Sequence, residues 1–207
     1  MKTIKAVLFD FGGVIYRTPD LQRMLRWLRL LGVRDTSALT ILSQSPNESD
    51  FVRDLWTGRR PEQEAWDHLA QVWKLRPWLM TTLRRKSIRR RHVDAPLLDF
   101  LHNLRPRVRT AILTNAGTEF RGTFAHLLGL EAFVDQLIVS AEEGLCKPDL
   151  EIFHLAAERL GVRPDEAVFV DDMPENVQGA REAGMHAWVH ESGDDTIRRV
   201  SELVMGV

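Results

Sequence analysis

The sequence predicts an α/β protein: a parallel sheet clad in helices on both faces, with an α-helical unit inserted after its first strand. Three observations carry that expectation. Five short apolar segments rich in β-branched and aromatic residues recur along the chain. Helical patterns lie between the later ones, and one stretch, residues 18–91, holds helical patterns and no convincing strand. Buried strands alternating with helices form parallel sheets covered on both sides, and such sheets collect their ligands at the carboxyl ends of the strands.

The first strand is read at Ile4 to Phe9, apolar apart from Lys5 and closed by Asp10 and the pair Gly12-Gly13. The insertion opens at Thr18-Pro19 with a helix that puts Leu21, Met24, Leu25, Leu28 and Leu31 on one face and stops at Gly32; three more helical patterns follow. Five of the six tryptophans, Trp27, Trp56, Trp66, Trp73 and Trp78, fall inside it and are expected to fill its small core. Then come a helix at Pro96 to Leu104, a strand at Val108 to Leu113 and a helix at Thr118 to Leu128. A strand at Gln136 to Ser140, a helix at Leu150 to Leu160 and a strand at Ala167 to Val170 follow. A helix at Pro174 to Ala183, a strand at His186 to Val189 and a helix at Asp194 to Met205 complete the series.

The composition, 44% hydrophobic and 28% charged over 207 residues, is that of an ordinary globular protein. Its 28 basic and 29 acidic side chains nearly cancel, so no global field recruits nucleic acid or an anionic membrane. The basic run Arg84, Arg85, Lys86, Arg89, Arg90 and Arg91 reads as a solvated helix face where the insertion rejoins the core. No apolar stretch approaches membrane-spanning length. A single cysteine, Cys146, and an N-terminus without a signal-peptide core lead us to expect a cytoplasmic protein.

Chemistry gathers at the strand ends. Asp10 closes the first strand, and Gly12-Gly13 lets the backbone turn so that the carboxylate faces the sheet edge. The second strand runs into Leu113-Thr114-Asn115-Ala116-Gly117, where free N–H groups and the Thr114 hydroxyl suit phosphoryl oxygens, although an ordinary helix cap looks the same. After the third strand, Lys147 in Lys147-Pro148-Asp149 can neutralise both Asp10 and an incoming phosphate. The fourth strand ends in Asp171-Asp172, a repelling pair that a hard cation such as Mg²⁺ relieves. Each feature alone is commonplace. Four consecutive strand ends that deliver a carboxylate, a hydroxyl, an ammonium and a carboxylate pair to one rim point to a single site.

Taken together, Val7-Leu8-Phe9-Asp10-Phe11-Gly12-Gly13-Val14, Ile112-Leu113-Thr114-Asn115, Lys147-Pro148-Asp149 and Phe169-Val170-Asp171-Asp172 resemble the four motifs of the haloacid dehalogenase (HAD) superfamily, over roughly Ile4 to Val189. The resemblance implies a Rossmann-like core domain formed by residues 1–17 and 92–207 and a helical cap domain at 18–91. It implies that Asp10 attacks phosphorus to form an aspartyl-phosphate, with Thr114, Asn115 and Lys147 binding the phosphoryl group. It further implies that Mg²⁺ is held by Asp10, the Gly12 carbonyl and Asp172, supported by Asp171, and that the partner is a small phosphorylated molecule such as a sugar phosphate.

The departure from the family pattern is Gly12. Most phosphatases of the family carry there a second aspartate that protonates the leaving oxygen, help worth about 10²–10⁴-fold. Glycine suits a leaving group that needs little protonation, such as an anomeric sugar or an acyl group; a cap side chain or a water are the other replacements, and His92 near the hinge is one to test. Two readings from other classes stand beside the phosphatase: a 2-haloacid dehalogenase, in which Asp10 attacks carbon and halide leaves without a proton, and a non-catalytic binding protein.

Overall fold

The computed structural model describes residues 3–17, 26, 28–30, 32–33, 46–76, 78–80 and 92–206. The expected basic run at 84–91, the Thr18-Pro19 helix start and Leu21, Met24, Leu25, Trp27 and Leu31 lie outside the described residues.

Five strands, β1 (Ala6–Phe9), β2 (Arg109–Thr114), β3 (Gln136–Val139), β4 (Ala167–Asp171) and β5 (His186–Val189), form one parallel sheet in the order β3-β2-β1-β4-β5. β1 is central, with Phe9 in register with Ile112 on one side and Val170 on the other. The chain fills one side of β1 with β2 and β3, then crosses to the other for β4 and β5. The crevice for a ligand therefore opens where β1 ends.

Both faces of the sheet are covered, and the alternation of side chains divides the core accordingly. Val7, Phe9, Ile112, Val168 and Val170 pack under α3 (Ala95–Leu104) and α6 (Gly193–Met205), meeting Leu97, Leu101 and Val200. Ala6, Leu8, Leu113, Ile138 and Phe169 pack under α4 (Leu150–Leu160) and α5 (Pro174–Glu182), meeting Ile152, Phe153, Val177 and Ala180. Asp94 caps α3 by accepting from the Leu97 N–H, and Ser192 caps α6 through the Asp195 N–H.

One expected helix is different. In place of a regular helix at 118–128 the chain makes a wide π turn at Arg121–Ala125 and a single α turn at His126–Leu128. Thr123 Oγ1 donates back to the Glu119 carbonyl at 2.6 Å, and Gly117 before the turn and Gly122 within it weaken helix propensity. Ser140, expected to end a strand, opens a short helical turn at Ser140–Glu143 instead.

Within the insertion, α1 (Asp50–Trp56) and α2 (Glu62–Val72) are described. Leu28, Val33, Leu69, Trp73 and Met80 form a separate apolar cluster with Trp66 packed against it. The tryptophans do not all fill that cluster: Trp78 is 63% exposed, and Trp56 faces the cavity described below. The chain leaves and re-enters the core side by side, because Arg17 N donates to His92 O and Asp94 N to Ile15 O, each at 2.8 Å. Among the described residues no helix is long and apolar enough to cross a membrane.

Candidate active site at the carboxyl edge of the sheet

A cavity of about 550 Å³ opens at the end of β1, lined by Asp10, Gly12, Thr114, Asn115, Lys147 and Asp172 together with residues of the insertion. Lys147 holds its centre. Its ammonium, 1% exposed, donates to Asp10 Oδ1 and Asp171 Oδ2 at 2.6 Å each and to the Leu113 carbonyl at 3.1 Å. All three N–H donors are thereby used. Burial works to lower the lysine's pKa, but the two carboxylates outweigh it and hold the group above the usual ammonium range.

Asp10 is brought there by register. Its N–H donates to Val170 O at 2.9 Å, one step beyond the last strand pairs, so its side chain emerges between the ends of β2 and β4. Burial pushes its carboxyl up to about 7; Lys147 pulls it down, and Asp171 and Asp172 push it up again. Asp172, exposed at the rim, is raised by partial burial and by Asp171.

Asp171 is fully buried and heavily bonded. Besides Lys147, it accepts from Asn176 Nδ2 at 3.0 Å on both oxygens and from the Met173 N–H at 2.8 Å. It brackets the lysine. Carboxylate oxygens of Asp10, Asp171 and Asp172 nevertheless lie within 4.8 Å of one another. Three carboxylates beside one ammonium leave two formal negative charges uncompensated, and an all-oxygen donor set of this kind fits a hard divalent cation.

Asn115, expected as a substrate ligand, has its side chain committed elsewhere. Its Nδ2 donates to Lys147 O and its Oδ1 accepts from Lys147 N, both at 2.9 Å, so it clamps the lysine's backbone. Thr114 sits at the end of β2, 4% exposed, in the cavity wall. The loop after it is pinned by Ser140, whose Oγ accepts from the Ala116 N–H at 3.0 Å. His92 does not line the cavity; its ring meets Tyr16 edge-on at 5.8 Å.

The two glycines differ. Gly13 has φ +81°, and a Cβ there would stand 2.0 Å from Asp172 Oδ2, so only glycine fits. A Cβ on Gly12 would meet nothing nearer than Asp10 Oδ2 at 4.0 Å. The residues that sequence reasoning left out of the site are Asn176, Ser140 and the outer wall of the cavity: Tyr16, Trp56, Glu62, Phe120 and Phe124. Asn176 had a signal, as a polar residue in the first turn after the Asp171-Asp172 pair. The wall had none, because it is assembled from three separate stretches of chain.

Comparison with known proteins agrees with this fold. Among solved structures, a predicted HAD-like family hydrolase from Porphyromonas gingivalis superposes with a TM-score of 0.75 at 25% identity, over 98% of both chains. A HAD family enzyme from Bacteroides thetaiotaomicron, solved in complex with magnesium and inorganic phosphate, gives 0.72 at 22% identity over 92% of this chain and 96% of that one. Rat N-acylneuraminate-9-phosphatase is 31% identical over 113 residues, which is 52% of this chain and 46% of the relative. Glyceraldehyde 3-phosphate phosphatase of Methanopyrus kandleri is 46% identical over 59 residues, 28% of this chain and 25% of the relative. The chain thus spans less than half the length of either phosphatase. The family model for haloacid dehalogenase-like hydrolases matches residues 4–184, most of the sequence, and the chain belongs to that family.

Proposed function

We propose that the protein is a Mg²⁺-dependent phosphatase that hydrolyses a small phosphate monoester through an aspartyl-phosphate on Asp10. The observation that carries this reading is the Lys147 ammonium bridging Asp10 and Asp171 at 2.6 Å, with Asp172 beside them, at the open end of β1. Lys147 fixes Asp10 Oδ1, which leaves the other oxygen to attack phosphorus. As the new O–P bond forms, the bond to the leaving oxygen breaks, and that oxygen takes its proton from water because Gly12 has none to give. Water then attacks phosphorus, breaks the bond to Asp10 and restores the carboxylate as inorganic phosphate departs. Throughout, the Thr114 hydroxyl donates to the phosphoryl oxygens, and Lys147 neutralises charge shared with Asp10.

Asp10, Asp172 and the Gly12 carbonyl would hold the magnesium ion, with Asp171 behind them. Once bound, the ion keeps these carboxylates ionised and offsets the charge of the phosphoryl group. In this reading residues 18–91 are the cap over a core of 1–17 and 92–207, a division supported by the separate apolar cluster of the insertion and the paired crossing points at Arg17 and His92. The relatives named for phosphatase activity on small phosphorylated metabolites support the substrate class.

Phosphate release from sugar and acyl phosphates, measured with and without Mg²⁺, tests the reading. It predicts release that needs Mg²⁺ and disappears in Asp10→Asn; release that survives either change overturns it. Gly12 favours one other reaction, dehalogenation, because halide leaves without a proton. Halide release from 2-haloacids by the same preparation would support it, but that reaction gives the three-carboxylate group no cation to hold.

A further inference from the structure

We propose that Arg53 is a positioning residue for the reaction: from the insertion it grips the segment that carries Lys147 and so fixes the part of the cavity wall that receives the leaving group. This rests on the phosphatase reading above. Arg53 lies in α1, and its guanidinium forks onto Asp149, with Nη1 donating to Oδ2 at 2.6 Å and Nη2 to Oδ1 at 3.2 Å. Nη2 also donates to Asn47 Oδ1 at 2.7 Å, and Nε to the Pro46 carbonyl at 3.2 Å. One planar group thus ties the approach to α1, where Pro46 lines the cavity, to a core residue just past Lys147. The ion pair is partly buried, so solvent screens it less than a surface pair. A lysine could not replace it, because an ammonium is a point donor and cannot fork onto a carboxylate while reaching further oxygens.

What lies at each end of this grip gives it a role. Trp56 follows Arg53 on α1 at a spacing that puts two side chains on one helix face, and it lines the cavity. Just beyond, Gly58 at φ +71° packs on Ala141, whose carbonyl would stand 2.4 Å from a Cβ there. Ala141 and Asp149 both belong to the stretch between β3 and α4, so the insertion meets that one segment at two points with Trp56 between them in sequence. The Gly58 contact is one of shape; Arg53 supplies the charge-assisted bonds. Lys147 itself is held by Asn115, Asp10 and Asp171 without help from the insertion. Loss of Arg53 therefore spares the phosphoryl end of the site and loosens the wall. Cys146, the sole cysteine, reports on that contact. It is buried, and its Sγ lies 3.9 Å from Asp149 Oδ2, the oxygen that Arg53 Nη1 holds. Burial and Asp149 push the thiol up to about 11 while Arg53 and Arg59 pull it down, so removing Arg53 alone slows thiolate chemistry. Faster modification of Cys146 without Arg53 then means that the contact has opened.

The test compares p-nitrophenyl phosphate with acetyl phosphate, whose leaving groups both need little protonation but differ in how much they offer the wall to hold. With the full chain and Mg²⁺, Arg53→Ala should lower kcat/KM for p-nitrophenyl phosphate by about tenfold or more, mostly through KM, and for acetyl phosphate by less than about threefold. Modification of Cys146 by N-ethylmaleimide should quicken by at least about tenfold in the same variant, as the loss of charge-assisted bonds implies. Arg53→Lys, which keeps the charge but not the fork, should fall between wild type and Arg53→Ala in both measurements, and it decides alone if Arg53→Ala does not fold. If the wild type releases phosphate from neither compound, the phosphatase reading falls and this inference with it. If it does release phosphate, but takes only one of the two, or the variants lose both in equal measure or not at all, or Cys146 reacts no faster, this inference alone is overturned.

Discussion

Restoring a carboxyl at position 12 probes the chemistry directly, because the backbone there has room for it. A Cβ on Gly12 finds its nearest neighbour, Asp10 Oδ2, at 4.0 Å, and Gly12 is absent from the glycines with positive φ, so the first atom of a side chain there meets neither clash nor backbone strain. The new carboxyl would lie roughly 5 Å from that of Asp10, where two like charges at an effective dielectric of about 20 repel by about 3 kcal/mol. That is about two pKa units, so the two carboxyls would titrate as a pair and hold one shared proton closer to neutral pH than an isolated aspartate would. A protonated carboxyl beside the leaving oxygen is a general acid, and such help is worth about 10²–10⁴-fold.

The gain should depend on the leaving group. Alkyl phosphates depart as poor alkoxides and should gain about 10²-fold or more, whereas p-nitrophenyl phosphate, whose leaving group needs no proton, should gain little. Steady-state phosphate release over a series of leaving groups is the assay. The wild type should show a steep dependence on leaving-group pKa, and Gly12→Asp a flatter one. Gly12→Ala, which adds only the Cβ, should leave the slope alone. The reasoning is refuted if the wild-type slope is already flat, or if alkyl and aryl substrates gain equally.

Three further outcomes follow from the same geometry. Gly13→Ala should cost about 1–2 kcal/mol for a left-handed backbone alone, and more from the 2.0 Å approach to Asp172; a urea melt and a calorimetric Mg²⁺ titration should show lower stability and weakened binding. Lys147→Met leaves Asp10 and Asp171 buried without their cation and should destabilise the fold by about 3–5 kcal/mol. The Asp10 carboxyl, already raised by burial, would lose the lysine that pulls it down and be held further above its unfolded value, so the folded state binds more protons and the deficit should shrink as pH falls; urea midpoints at pH 8 and 5.5 check the sign. His190, bonded to Thr196 Oγ1 at 2.9 Å, is lowered by burial, with Asp94 and Asp195 pulling up and Arg17 down. Below the ordinary value of 6.5 the unfolded chain takes up that proton first, so stability should fall as pH drops toward the folded value, and His190→Asn should remove that part of the loss.

What could be read from the sequence follows a physical division. Strand segments were legible because a sheet covered on both faces needs continuous apolar runs, and the expected bounds of β5 and α4 coincide with the observed ones. Asp10, Thr114, Lys147 and Asp172 were legible as a group because parallel strands all end at the same edge, so following each strand to its last residue leads to one place. The cavity wall was not legible, since it depends on how the insertion docks. Arg53 reaches Asp149, 96 residues away, with bonds of 2.6 and 3.2 Å, and Gly58 packs so closely on the Ala141 carbonyl that a Cβ would approach to 2.4 Å. Contacts of that separation leave no periodicity behind. Asn115 shows the converse: its amide beside Thr114 looks like a ligand for substrate until the Lys147 backbone, 32 residues on, is seen to claim both of its ends.

Gly12 and Gly13 are indistinguishable in the sequence, two adjacent glycines after a strand, yet their surroundings differ. Gly13 is dictated by the fold, through a positive φ and the Asp172 carboxylate packed against its Cα. Gly12 is under no such steric demand, so the fold does not account for its lack of a side chain, and the phosphatase reading proposed above ties that lack to the substrate. A site that donates no proton must either receive a leaving group stable without one or take the proton from water, and in both cases the group beyond phosphorus has to be chosen by contacts from the cavity wall, where Glu62 and Trp56 reach in from the insertion.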